Sequence, residues 1–194
     1  MVGGLAGSVS FVVGPGHIRS QYGKSFVKFG ELDDRPSRRT EDLQLAFTRA
    51  GIAATIPANI QAALWGKFLM VVSQGGVGAV SRAPAGIFRS VPETRWLLEQ
   101  SMREIEAVAR AKQVAIADDI VETTMAFVDS VPAISTTSLQ RDLMAGKPSE
   151  LEAWNGAVVR LGQSVNVPTP VHQFIYASLL PMESRARGQT QFNI

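Results

Sequence analysis

The chain has 194 residues, 45% of them hydrophobic and 19% charged, so it can bury a sizeable core and is not a disordered polyelectrolyte. Its formal net charge is only +2, and no Lys/Arg block interleaves with aromatics, which argues against a nucleic-acid partner. Cysteine is absent, which excludes disulfides, thiol catalysis and Cys-based metal sites; His17 and His172 are far apart, so no metal site is expected.

The chain opens with short extended runs. The apolar start, through Gly14, has no basic leader, and its glycines suit strands and turns better than a signal peptide. Gly3-Gly4-Leu5-Ala6-Gly7 only superficially resembles a phosphate loop, because the next run, residues 8–13, reads as a strand and not as a helix. Extended runs are expected over residues 8–13, 17–19 and 25–29, broken at Gly14-Pro15-Gly16 and at Tyr22-Gly23. The spacing of Leu43, Phe47 and Ala50 predicts a helix over residues 37–50, stopped by Gly51, with a strand over residues 52–56 after it.

From Asn59 onward the pattern is helical. A first helix is expected over residues 59–73, bent or broken at Gln74-Gly75-Gly76. Residues 60–81 carry a single charge, Lys67, and approach a membrane span in length; Lys67, Gln74 and the glycines favour a buried helix and no membrane. Ser90-Val91-Pro92-Glu93 reads as a capping box opening a helix with Leu98, Met102, Ile105 and Ala109 on one face. Further helices are expected over residues 118–128 and 139–144. Ser149 is expected to cap the next helix, with Glu152 three places on and a stripe of Leu151, Trp154, Val158, Leu161 and Val165. The last helix is expected from Pro170 to Met182, and residues 184–194 read as a mobile tail.

Lys67 is the most informative residue. It shares a stripe with Ile60, Leu64 and Val71, and burying an ammonium is costly unless it is paired or deprotonated. A proton donor in a dry site has this pattern; so does a lysine that snorkels to solvent. On pattern alone, Glu150 complements a helix dipole and Ser138 serves as an N-cap.

Several segments, in order, resemble the ketopantoate reductase (2-dehydropantoate 2-reductase) family. They are Leu64-Trp65-Gly66-Lys67-Phe68; Met102-Arg103-Glu104 with Ala107-Val108-Ala109; Ser138-Leu139-Gln140-Arg141-Asp142; Gly146-Lys147-Pro148-Ser149-Glu150-Leu151-Glu152 with Asn155-Gly156; and Val167-Pro168-Thr169-Pro170-Val171. The resemblance implies a mainly α chain. Residues 1–56 would be the β-rich remnant of an α/β Rossmann dinucleotide-binding domain. Residues 57–183 would be a helical substrate-binding domain, like the C-terminal domain of 6-phosphogluconate dehydrogenase. The Gly-rich cofactor loop and a substrate-contacting Asn would lie before Met1.

The resemblance also implies roles. Lys67 would be the catalytic lysine. Glu150 would be the active-site glutamate, orienting the lysine or contacting the cofactor ribose. Ser138 would contact the substrate carboxylate. Members acting on ketopantoate often carry Asn four and eight residues after the lysine; here Val71 and Gly75 stand there, with Ser73 or Gln74 as substitutes, so a related 2-keto acid is a candidate substrate. The implied protein is a cytoplasmic, homodimeric, NADP-dependent 2-keto acid reductase, inactive as this chain alone. The alternative is a non-catalytic helical interaction or oligomerisation module derived from that family.

Overall fold

A computed structural model of the chain describes residues 1–8, 10–20 and 25–192. The expected turn at Tyr22-Gly23 lies outside the described residues. The chain divides into two compact units, Met1–Lys67 and Phe68–Ile194. The predominantly helical character expected from the sequence holds.

In the first unit, strands β1 (Val2–Gly7), β4 (Phe26–Glu31) and β5 (Ala53–Thr55) form a sheet in the order β1-β4-β5. β1 runs antiparallel to β4, pairing Gly3 with Gly30; β5 runs parallel to β4, pairing Val27 with Ala54. The parallel pair needs a crossover, and helix α1 (Arg38–Arg49) supplies it. Ser37 caps α1 by accepting from Thr40 N, and Phe47 packs on Phe29 with ring centroids 5.7 Å apart. The rest of the predicted α1 stripe is weakly covered, with Leu43 39% exposed. β2 (Ser10–Gly14) and β3 (His17–Ser20) form a separate hairpin closed by Pro15-Gly16, where Gly16 takes the positive φ that such a turn requires.

Helix α2 (Ile60–Ser81) begins in this unit. Asn59 Oδ1 accepts from Ala62 N at 2.7 Å, and Asp34 Oδ1 accepts from Ile60 N at 2.9 Å, so two of the helix's unpaired N–H groups are met. Gly3 and Gly30 leave room for Ile60. A Cβ on Gly3 would stand 2.8 Å from Leu32 Cδ2 and 3.3 Å from Leu64 Cδ1, and one on Gly30 would stand 3.3 Å from Ile60 Cβ.

The second unit takes the remainder of α2, with α3 (Ala85–Phe88), α4 (Pro92–Ala111), α5 (Ile120–Ser130), α6 (Ser138–Met144), a π-helical turn (Glu152–Gly156), α7 (Ala157–Ser164) and α8 (Pro170–Ala186). Its core joins Leu69, Val72 and Val77 of α2 with Leu98, Met102 and Ile105 of α4, Val128 of α5, Leu139 of α6 and Ile175 of α8. By length and composition α2 could cross a membrane, but residues 75–79 are buried in this core.

Four local expectations fail, each to a tertiary or neighbouring contact. α2 is not broken at Gln74-Gly76; its glycines cost helix propensity, but neighbouring side chains fill the space they leave. Ser90 forms no capping box; Val91 occupies the N-cap of α4, and Ser90 Oγ donates to Ile87 O. Thr137, not Ser138, caps α6, accepting from Gln140 N. Ser149 and Glu152 form no reciprocal cap either: Ser149 binds Glu183, and Glu152 binds Tyr176 and Arg160, while the chain between them winds into the π-helical turn. α8 also continues beyond Met182 to Ala186.

Candidate active site

In the first unit, Lys67 sits at the end of the stripe Ile60–Leu64–Lys67. Its ammonium donates to the carbonyl oxygen of Ala6 on β1 at 2.6 Å, and the residue is half-buried. The head is tethered to a strand backbone. This is more specific than a snorkelling lysine, because a fixed carbonyl sets where the nitrogen lies. An ammonium has three donor protons, and the other two have no partner among the described residues.

In the second unit the other predicted residues lie on three segments. Ser73 and Gln74 are on α2. Ser73 is fully buried and its Oγ has no hydrogen-bond partner among the described residues, whereas Gln74 is partly exposed. Ser138 is the first residue of α6 and is exposed. Glu150 is exposed in the turn before the π-helical segment; its carbonyl accepts from Trp154 N at 2.9 Å.

Glycines bring these segments against α2. A Cβ on Gly75 would stand 2.8 Å from Trp154 Cζ3 and 3.4 Å from Leu139 Cδ2. On Gly76 it would meet Asn155 Nδ2 at 2.7 Å and Ile175 Cγ2 at 3.0 Å; on Gly78, Gln140 Oε1 at 3.1 Å. The start of α6 and the π-helical turn therefore both abut residues 75–78. The Trp154 ring fills the space that an Asn side chain at position 75 would need, which gives the sequence departure there a physical partner.

Behind this face is a buried polar network. His172 is fully buried; its Nε2–H donates to Ser101 O at 2.9 Å, and its Nδ1 accepts from Asn155 Nδ2 at 3.1 Å. A carbonyl can only accept, which sets this tautomer. Burial drives the His172 pKa down to about 4, so the ring is neutral near pH 7. Glu104 accepts from Val171 N at 2.7 Å and His172 N at 3.0 Å, meeting the first amides of α8. Burial pushes its pKa up, against the pull of those two N–H groups. Glu152 accepts from Tyr176 OH at 2.5 Å and pairs with Arg160; the tyrosine bond, then the arginine charge, hold its pKa below the usual carboxylate value.

Sequence reasoning noticed His172 only as an isolated histidine and missed Glu183, which is 2% exposed and accepts from Ser149. The only sequence signal for Glu183 is Arg187 one helical turn later. Gly3–Gly7 is hydrogen-bonded into the sheet as β1 and does not form a loop at a helix N-terminus, so it offers no cradle for a dinucleotide pyrophosphate.

Residues 59–183 match the family described as ketopantoate reductase PanE/ApbA C terminal. The 2-dehydropantoate 2-reductase of Halobacterium salinarum is 27% identical over 157 residues, covering 81% of this chain and 51% of its own. The crystal structure of 2-dehydropantoate 2-reductase from Methylococcus capsulatus superposes with a TM-score of 0.84 at 30% identity, over 95% of this chain and 59% of that one. A D-mandelate dehydrogenase solved with NADH shares the fold, with a TM-score of 0.83 at 19% identity, over 94% of this chain and 62% of that one. The chain spans about half the length of the curated relatives it matches. The match across the helical unit and the start of α2 places this chain in the ketopantoate reductase family, as a C-terminal domain of that family.

Proposed function

We propose that this chain supplies the catalytic lysine and the substrate-binding residues of an NADP-dependent reductase that converts a 2-keto acid, ketopantoate or a relative of it, to the 2-hydroxy acid. The observation that carries the reading is the tethered ammonium of Lys67, which lies in the segment whose resemblance to the family implies a catalytic lysine; named relatives of the chain are 2-dehydropantoate 2-reductases. Reducing a ketone adds a hydride to the carbonyl carbon and a proton to its oxygen. Lys67 serves the second half: with one donor held by Ala6 O, it can place another on the forming alkoxide, stabilise its charge and release a proton to it.

Glu150 is the second catalytic group, with a carboxylate that has no partner among the described residues. Ser138, Gln74 and the orphan hydroxyl of Ser73 are the substrate contacts. The residues present do not fit the cofactor's pyrophosphate, so NADP is assigned to a dinucleotide-binding domain of the kind the resemblance implies, and this chain alone is inactive. NADH, named for the mandelate enzyme, is the second cofactor to try. The assembly proposed is a cytoplasmic homodimer held through the helical unit, and sedimentation of the full-length protein at micromolar concentration should read twice the protomer mass.

The deciding experiment is a panel of 2-keto acids with NADPH and the full-length protein. Lys67→Ala should lower kcat by about 10²- to 10⁴-fold, the range for loss of a general acid, with an unchanged circular dichroism spectrum. Undiminished turnover would remove Lys67 from the mechanism. Failure of the wild type to reduce any 2-keto acid would favour the non-catalytic interaction module.

A further inference from the structure

Glu183 lies near the end of α8 and is almost wholly buried. A carboxylate there is costly unless donors meet it. Ser149 N reaches both of its oxygens at 3.1 Å, Ser149 Oγ donates at 2.5 Å, and Arg187 Nε donates at 2.7 Å. Arg187 Nη2 then donates to Ser149 O at 2.9 Å. Every polar group of Ser149 (amide, carbonyl and hydroxyl) is thus tied to the last turns of α8, and its Oγ also accepts from Leu151 N at 3.3 Å.

The next residue is built the opposite way. The Glu150 carbonyl is held by Trp154 N, so its backbone is fixed on both sides, while its carboxylate is exposed and unpaired among the described residues. Saturating a single loop residue with five bonds fixes the peptide plane from which the next side chain departs.

We infer that Glu183, with Arg187, is a positioning device: it clamps Ser149 and thereby sets the direction of the Glu150 carboxylate. This rests on the reading of Glu150 as an active-site group. Glu183 touches no reacting atom; it acts through Ser149.

The test compares Glu183→Gln, Ser149→Ala, Ser149→Thr and Glu150→Gln in the full-length protein, using NADPH and a 2-keto acid that the wild type reduces. Ser149→Ala keeps the test open should Glu183→Gln fail to fold. Both clamp variants should lower kcat/KM by about 10- to 100-fold under conditions where circular dichroism shows full folding, the scale expected for a small misplacement of a catalytic group. Ser149→Thr, which keeps the hydroxyl, should recover most of that loss. In the Glu150→Gln background the clamp variants should cost nothing further, because the group they aim is gone. Amide exchange at Ser149 and Leu151 should quicken in Glu183→Gln. A crippled Glu150→Gln beside clamp variants of normal kcat/KM and lowered Tm would overturn the clamp alone, as would losses that multiply with that of Glu150→Gln. Full activity of Glu150→Gln, or no 2-keto acid reduction by the wild type, would remove the underlying reading and the clamp with it.

Discussion

Single atoms decide the packing around α2. A methyl group on Gly76 would stand 2.7 Å from Asn155 Nδ2, and Asn155 cannot swing away without releasing His172. Gly76→Ala gains about 1 kcal/mol of helix propensity but incurs about 1–3 kcal/mol of overpacking and threatens a buried hydrogen bond. The expected net effect is destabilisation, read as a lower urea midpoint; an unchanged or raised midpoint would mean that the helices separate freely. Gly75→Asn should fail to restore a ketopantoate-type side chain, because the Trp154 ring already fills its space; soluble, fully active Gly75→Asn protein would contradict this. An ammonium on an apolar stripe makes Lys67 conspicuous, but that pattern suits a snorkelling lysine equally, and its proposed role comes from the resemblance. Its tether was not legible, because Ala6 is 61 residues away and a backbone carbonyl carries no sequence signature.

The elements show where local rules yield. α1 begins as its Ser37 cap predicts, because that cap is satisfied within one turn. The expected boxes at Ser90 and Ser149 did not form, since a tertiary or neighbouring acceptor took the hydroxyl. Two packed elements carry opposite-looking groups with the same pH consequence. At the β4–α1 junction, hydrogen bonds from Arg39 and then Ser37 lower Glu31 from 4.5 to about 2. Its stabilisation is complete above pH 4.5 and is lost as pH falls toward 2. In α8, buried neutral His172 falls from 6.5 to about 4, so its contribution is complete above pH 6.5 and is lost as pH falls toward 4. Urea midpoints measured from pH 7 downward should therefore decline in two stages. His172→Gln should lower the starting value and flatten the first stage, which the raised Glu104 opposes; a first stage unchanged by His172→Gln would refute the buried neutral ring.

At the scale of the whole molecule, the proposed division of labour predicts that this chain alone binds NADPH no tighter than high micromolar. Low-micromolar binding in a fluorescence titration would show that the residues present hold the dinucleotide after all. The family and the helical class could be read from the sequence, because ordered short motifs and hydrophobic periodicity are local properties that survive without neighbours. The sequence also nominated Lys67, Ser138 and Glu150, by residue type and place in those motifs. Only the tertiary structure decided that α2 runs unbroken through its glycines, that Trp154 fills the place beside Gly75, and that Glu183 and Arg187 grip Ser149. Those outcomes depend on atoms far apart in the chain, and close packing and buried hydrogen bonds exist only once the helices have met.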